Sequence, residues 1–239
     1  MVLTAPRTAT KSQIAMRLWH AVTALIVGAA LVVQIWLVII GSTDVNAVTG
    51  TQPNPLPVRL TNTFSYFTIQ SNILVLISAI RLLIDPTLRG FWWRVVRLDG
   101  LLGIVITGVV YVTVLRPLAS PTGIYAAVNA GLHYLPPPLV LFGWLIFGPR
   151  PRIAGRVLAG ALIWPLAWIV YTLVRGAFTS WYPYPFMDVG ALGYPVALRN
   201  IAVVIVIAVL LAVIMKLIDR LPAIAGSDRS AQPAGQPRR

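Results

Sequence analysis

The stretch FSYFTIQSNILVLISAI, residues 64–80, decides how this chain is read. Its second half is almost wholly aliphatic. Its first half sets Ser65, Thr68, Gln70, Ser71 and Asn72 among aromatic and aliphatic neighbours. A bilayer core of about 30 Å needs roughly 20 apolar residues per helix. Residues 61–84 form one of six such segments, the others being 17–40, 98–117, 126–147, 156–176 and 196–218. The polar groups of 64–72 therefore lie at membrane depth, where they must be satisfied inside the protein or face a cavity.

The composition agrees. Of 239 residues, 58% are hydrophobic and only 10% charged, and the mean hydropathy of +0.82 is that of a polytopic membrane protein. A net charge of +13 arises from 19 basic against 6 acidic residues. The basic residues fall between the apolar runs, which is a topology signal and not a nucleic-acid footprint. The absence of cysteine excludes disulfides, thiolate metal sites and a cysteine nucleophile. There is no glutamate, and none of the six aspartates (Asp44, Asp85, Asp99, Asp188, Asp219, Asp228) lies in the middle of an apolar run. No metal and no cofactor are expected. Bis-histidine haem needs two imidazoles at one depth, whereas His20 sits at the cytoplasmic end of span one, far from His133, and a retinal Schiff base needs an interior lysine, whereas Lys11 and Lys216 are at the cytoplasmic boundary.

Orientation follows from the short connections. Arg7, Lys11 and Arg17 precede the first span; Arg81, Arg89, Arg94 and Arg97 fall between the second and third; Arg150, Arg152 and Arg156 between the fourth and fifth; Lys216 and Arg220 close the last. With six spans, this predicts an all-α bundle with both termini cytoplasmic. The expected organisation is a cytoplasmic segment 1–16, a six-helix domain 17–218 and a disordered basic tail 219–239. The first apolar run exceeds the 7–15 residues of a signal-peptide core, so it is read as a retained span. The preference for Arg over Lys and the abundance of Ala, Val and Gly point to a GC-rich bacterial coding sequence, hence to a bacterial cytoplasmic membrane. The connection FTSWYPYPFMDVGALGYP, 178–195, is external and reads as an interfacial aromatic loop, or as a lid over a site that opens outward.

The polar residues collect in the outer half of the spans. Ser65, Thr68 and Asn72 are three and four residues apart, which predicts one helical face. Asn129 and His133 make a second pair at a spacing of four, ahead of Pro136, Pro137 and Pro138, which are expected to break or kink span four. A hydroxyl becomes a nucleophile when a base takes its proton, and imidazole is the usual base. With no cysteine, interior lysine or interior carboxylate, Thr68 with His133 is the most economical pair, with Ser65 and Ser71 as rival nucleophiles. Asn72 or Asn129 could orient the imidazole or donate to an oxyanion, and Arg175 and Arg199 suit a carboxylate or phosphate head group. Hydrolysis of a membrane lipid ester is one reading. A non-catalytic lipid- or anion-binding protein or transporter, recognising its ligand through the arginines, is the alternative.

Three stretches carry a family resemblance: Tyr-Phe-Thr-x-Gln-Ser-Asn at 66–72, Leu-His-Tyr at 132–134 followed by proline, and Trp-Tyr-Pro-Tyr-Pro-Phe-x-Asp at 181–188. Together they resemble the bacterial branch of the androgen-induced and androgen-dependent TFPI-regulating membrane proteins. The resemblance implies a six-span intramembrane hydrolase whose catalytic threonine and histidine match Thr68 and His133. Animal members cleave fatty acid esters of hydroxy fatty acids. Around the threonine the animal proteins are mostly apolar where this chain has Gln70, Ser71 and Asn72, which bears on the substrate more than on the pair.

Overall fold

The computed structural model describes residues 10–42, 54–118, 120–150 and 152–225. The protein is all-α, with six helical spans long and apolar enough to cross a membrane: Lys11–Ile39, Phe67–Ile84, Phe91–Leu118, Gly123–Phe147, Gly155–Thr179 and Tyr194–Ile218. Among the described residues, ten α-helices, with short π and 3₁₀ turns between some of them, make up this bundle and its connections: α1 (Lys11–Ile39), α2 (Leu56–Ser65), α3 (Phe67–Ile84), α4 (Phe91–Val110), α5 (Gly123–Asn129), α6 (Pro136–Phe147), α7 (Gly155–Ala161), α8 (Ile163–Thr179), α9 (Val189–Leu192) and α10 (Tyr194–Ile218).

The first span starts six residues before the expected position 17. Thr10 and Gln13 form a reciprocal capping box: the Gln13 amide donates to Thr10 Oγ1 at 3.3 Å, and the Thr10 amide donates to Gln13 Oε1 at 3.0 Å. Two orphan donors are thereby satisfied and the helix is nucleated upstream of the apolar run. At the other end of the chain, part of the tail expected to be disordered is folded. Asp219 Oδ2 accepts from the Arg152 and Ile153 amides, both at 2.6 Å, and the Ala225 amide donates to the Ile146 carbonyl at 2.8 Å. Ser12 Oγ donates to the Ala225 carbonyl at 3.2 Å, so the start of α1 and the end of α10 share one end of the bundle. The expectations for 1–9 and 226–239 lie outside the described residues.

Helices in a bilayer gain little from hydrophobic association and pack through small residues and interhelical hydrogen bonds. A Cβ at Gly131 would come within 2.7 Å of Ala30 Cβ, and one at Gly108 within 2.7 Å of Pro137. The first approach seats α1 on the fourth span; the second seats α4 on its proline run. α10 faces outward along most of its length, with Val203, Val206 and Leu210 exposed as for a lipid-facing helix.

Two expectations about local geometry are corrected. The second span is not continuous from 61. Tyr66 is extended (φ −67°, ψ 130°) and separates α2 from α3, so Ser65 does not share a helical face with Thr68 and Asn72, and Thr68 is the second residue of α3. The fourth span is disturbed just before its prolines, with a bend at Leu135, but is not severed there. A π turn at Ala130–Tyr134 widens the helix, and the prolines occupy the first positions of α6, where a missing N–H costs least. The Leu135 amide bonds to the Ala130 carbonyl at 2.9 Å, five residues back, and the helix continues.

Candidate active site

The break at Tyr66 has identifiable causes. Trp168 Nε1 on α8 donates to the Ser65 carbonyl at 2.8 Å, and Gln70 Nε2 reaches back to the Phe64 carbonyl at 2.9 Å. The Tyr66 ring packs edge-on against Trp181 and Tyr184, each with a centroid separation of 5.6 Å. Aromatic residues of the 181–188 loop thus clasp the break. Its consequence is that the first amides of α3 have no intrahelical acceptor, and the Thr68 N–H donates to the Tyr184 hydroxyl at 3.1 Å.

Thr68 and His133 meet. Thr68 Oγ1 lies 3.4 Å from His133 Nε2, and both residues are buried, each about 2% exposed. This is a few tenths longer than a well-formed hydrogen bond, within the looseness that catalytic pairs show before substrate binds. His133 Nδ1 lies 3.3 Å from the Asn129 carbonyl, which can only accept. The proton therefore sits on Nδ1, and Nε2 presents its lone pair to the threonine hydroxyl. The π turn aims this ring, and Tyr111, in a second π turn at Tyr111–Leu115, stacks on it at 4.1 Å between centroids and 27° between planes.

The remaining candidates divide. Asn72 Nδ2 donates to the Thr68 carbonyl at 2.8 Å and to the Leu132 carbonyl at 3.0 Å. The Leu132 carbonyl lacks an i+4 partner because residue 136 is proline. Asn72 thus ties α3 to the fourth span and, among the described residues, has no hydrogen bond to the imidazole. The side chain of Asn129 likewise does not hold His133; it donates to the Tyr111 hydroxyl at 2.6 Å while its main-chain carbonyl does the orienting. Ser65 Oγ is bonded to the Thr61 carbonyl at 2.6 Å and to the Tyr171 hydroxyl at 2.7 Å. Ser71 is buried against Gly103. Neither serine has a hydrogen bond to His133 among the described residues.

Arg175 donates to Asn62 Oδ1 at 2.5 Å and lies over the Trp181 ring at 4.6 Å, so it braces the aromatic loop. Arg199 is exposed, with a 3.4 Å contact to its neighbour Asn200. It does not line the site, because its position on α10 faces outward. Asn200 instead secures the loop, donating to the Phe186 carbonyl at 2.9 Å.

Tyr184 is the residue sequence reasoning missed. Its hydroxyl lies 3.1 Å from Thr68 Oγ1 as well as from the Thr68 amide, and the residue is buried. The aromatic loop is therefore an insertion into the bundle and not an interfacial decoration. The signal was present in the Tyr-Pro-Tyr-Pro alternation, where two prolines stiffen the backbone on either side of Tyr184. The opposite half of the bundle is also less apolar than expected. Asp99 is buried within the third span, and His20, Thr23, Ser78 and Arg97 border a smaller cavity of about 410 Å³.

Beside Thr68 opens a cleft with an empty volume of about 680 Å³, walled by α4, α8 and α10 and roofed by Tyr184, Phe186 and Met187. The site can thus present a hydroxyl, a base positioned to take its proton, a phenol aimed at the same oxygen, and an apolar cleft. Among the described residues no cluster of three metal-ligating side chains occurs. Comparison of the chain with protein-family models, curated proteins and solved structures finds no match.

Proposed function

We propose that this chain is an intramembrane hydrolase of a lipid ester, with Thr68 as nucleophile and His133 as base, and a bacterial relative of the androgen-induced and androgen-dependent TFPI-regulating membrane proteins. The observation that carries the reading is the 3.4 Å approach of Thr68 Oγ1 to His133 Nε2, with Nδ1 committed to a carbonyl. Further support comes from the convergence of the three stretches behind the resemblance, since Thr68, His133 and Tyr184 each belong to one of them. On this reading both termini are cytoplasmic and the site lies in the outer half of the membrane.

The chemistry balances in two half-reactions. Thr68 Oγ attacks the ester carbonyl carbon as Nε2 takes its proton, and the carbonyl π electrons move onto oxygen. The tetrahedral intermediate collapses, the C–O bond to the alcohol breaks, and Nε2–H protonates the leaving alkoxide. Nε2 then deprotonates water, which attacks the acyl-threonine; the acid leaves and the proton returns to Thr68. The Tyr184 hydroxyl is the donor placed to stabilise the oxyanion, assisted by the positive end of α3, near whose start Thr68 sits.

The test is labelling of the detergent-purified protein with a fluorophosphonate probe. Wild type should label at Thr68, and Thr68→Ala and His133→Ala proteins of native helicity should not. Undiminished labelling of both variants overturns the proposal.

A further inference from the structure

The cleft beside Thr68 has a feature that catalysis alone does not require. Its walls are apolar except at a few side chains, and most of those polar atoms are engaged: Thr68 and Tyr184 with each other, and Trp168 Nε1 with the Ser65 carbonyl. The exception is Thr107, whose hydroxyl is buried without a hydrogen-bond partner among the described residues and whose residue is 5% exposed. A buried hydroxyl left without a partner is costly, and a ligand oxygen reaching the Thr107 wall of the cleft would offset that cost. Thr107 is four residues before Tyr111, the residue stacked on His133, and so lies one helical turn from the imidazole on the same face of α4.

α8 and α10 both line the cleft, and their backbones do not pack closely on each other. Ile205, which lines the cleft from α10, is itself exposed, so this wall reaches the surface where lipid would lie. On α10 the lining runs from Ile201 to Ala208, a rise of seven steps or about 10 Å at 1.5 Å per residue, the length of a chain of roughly eight methylenes.

We propose that this cleft is the acyl-chain site, entered sideways from the bilayer between α8 and α10, with the Thr107 hydroxyl hydrogen-bonding an ester oxygen and Ala208 closing the far end. The ligand class is a medium-length acyl ester. The inference rests on the hydrolase reading for its chemistry, but the cleft can bind a chain whether or not Thr68 turns it over.

The experiment measures kcat/KM of the full-length protein for p-nitrophenyl acetate, octanoate and palmitate. Wild type should favour octanoate over acetate by tenfold or more. Ala208→Trp should lower that ratio at least tenfold, while Val206→Trp, a lipid-facing change two residues away, should leave it at the wild-type value. Thr107→Val, which keeps the shape and removes the hydroxyl, should raise KM for octanoate several-fold. Equal ratios in Ala208→Trp and Val206→Trp overturn the assignment. In parallel, a diazirine-bearing fatty acid ester is photolysed with the Thr68→Ala protein and the labelled positions are mapped. Label on the 201–208 face of α10 or on Pro165 and Ile169 supports the cleft even if wild type hydrolyses none of the esters, an outcome that would remove the hydrolase reading alone. Label confined to other surfaces overturns the cleft.

Discussion

The hydroxyl of Tyr184 lies 3.1 Å from Thr68 Oγ1 and 3.1 Å from the Thr68 backbone nitrogen, so a loop residue 116 positions away contacts the candidate nucleophile twice. Replacement by phenylalanine retains the ring contacts with Tyr66, Trp168 and Phe186 and removes only the phenol. Loss of one oxyanion donor is expected to lower kcat by about 10²-fold, with the fold retained. Ester turnover and thermal unfolding measured on the same Tyr184→Phe sample check this; full turnover would remove Tyr184 from the chemistry.

His133 is oriented by the main-chain carbonyl of Asn129 and by the face of Tyr111. Asn129→Ala keeps the carbonyl and deletes only the bond to the Tyr111 hydroxyl, so turnover should fall by less than about tenfold. Tyr111→Ala removes the stacked ring and should cost at least about 10²-fold, the usual scale of a general-base contribution. The comparison of kcat in the two variants decides whether the Tyr111 ring or the Asn129 side chain matters more to the imidazole; a larger loss in Asn129→Ala would reverse the assignment.

Asn72 is buried and its amide serves two carbonyls on different spans. Asn72→Leu leaves the Leu132 carbonyl, freed by Pro136, without its donor, while the Thr68 carbonyl keeps the helical amide of residue 72. The expected cost is about 1–3 kcal/mol of stability, read as a lowered thermal midpoint in detergent. An unchanged midpoint would show that the bridge contributes nothing.

Gly176 lies against the Tyr182 ring so closely that a Cβ there would sit 2.1 Å from a ring carbon. Gly176→Ala must push Tyr182 and its loop away, at a cost of about 1–3 kcal/mol for overpacking. Tyr184, two residues along, moves with it. The expected signature is a loss of turnover resembling that of Tyr184→Phe, together with altered Trp181 fluorescence. Native turnover would mean that the loop yields without moving the phenol.

The two arginines should behave differently. Arg199→Ala, at an exposed position, is expected to change stability by no more than about 0.5 kcal/mol and to leave turnover intact. Arg175→Ala loses the bond to Asn62 and the stacking on Trp181, worth about 1 kcal/mol or more. Flux or binding of an anion that depends on Arg199 would favour the non-catalytic alternative.

Much of the architecture was legible in the residues because the bilayer imposes a simple filter. A helix must be long and apolar enough to cross, and residues 196–218, for instance, anticipate α10 within two residues at its start. Hydropathy reports where a chain crosses but not where a helix bends, so the Tyr66 break and the π turns at Tyr111–Leu115 and Ala130–Tyr134 were invisible. Those departures are set by contacts between distant residues, such as Trp168 with the Ser65 carbonyl. The elimination that singled out Thr68 and His133 needed only an inventory of residue types. Their 3.4 Å approach needed two helices to present those side chains to each other.

The sequence by itself determined six crossings and the residue types available for chemistry at membrane depth, because solvation by lipid acts on composition, residue by residue. Only the tertiary structure decided which groups meet. It gave Thr68 a phenol from the loop after α8, gave His133 a main-chain carbonyl in place of a side-chain partner, and turned Arg199 outward. Directional hydrogen bonds depend on helix rotation and on local widening of the backbone, and those are fixed by packing between spans rather than by the order of residues within one.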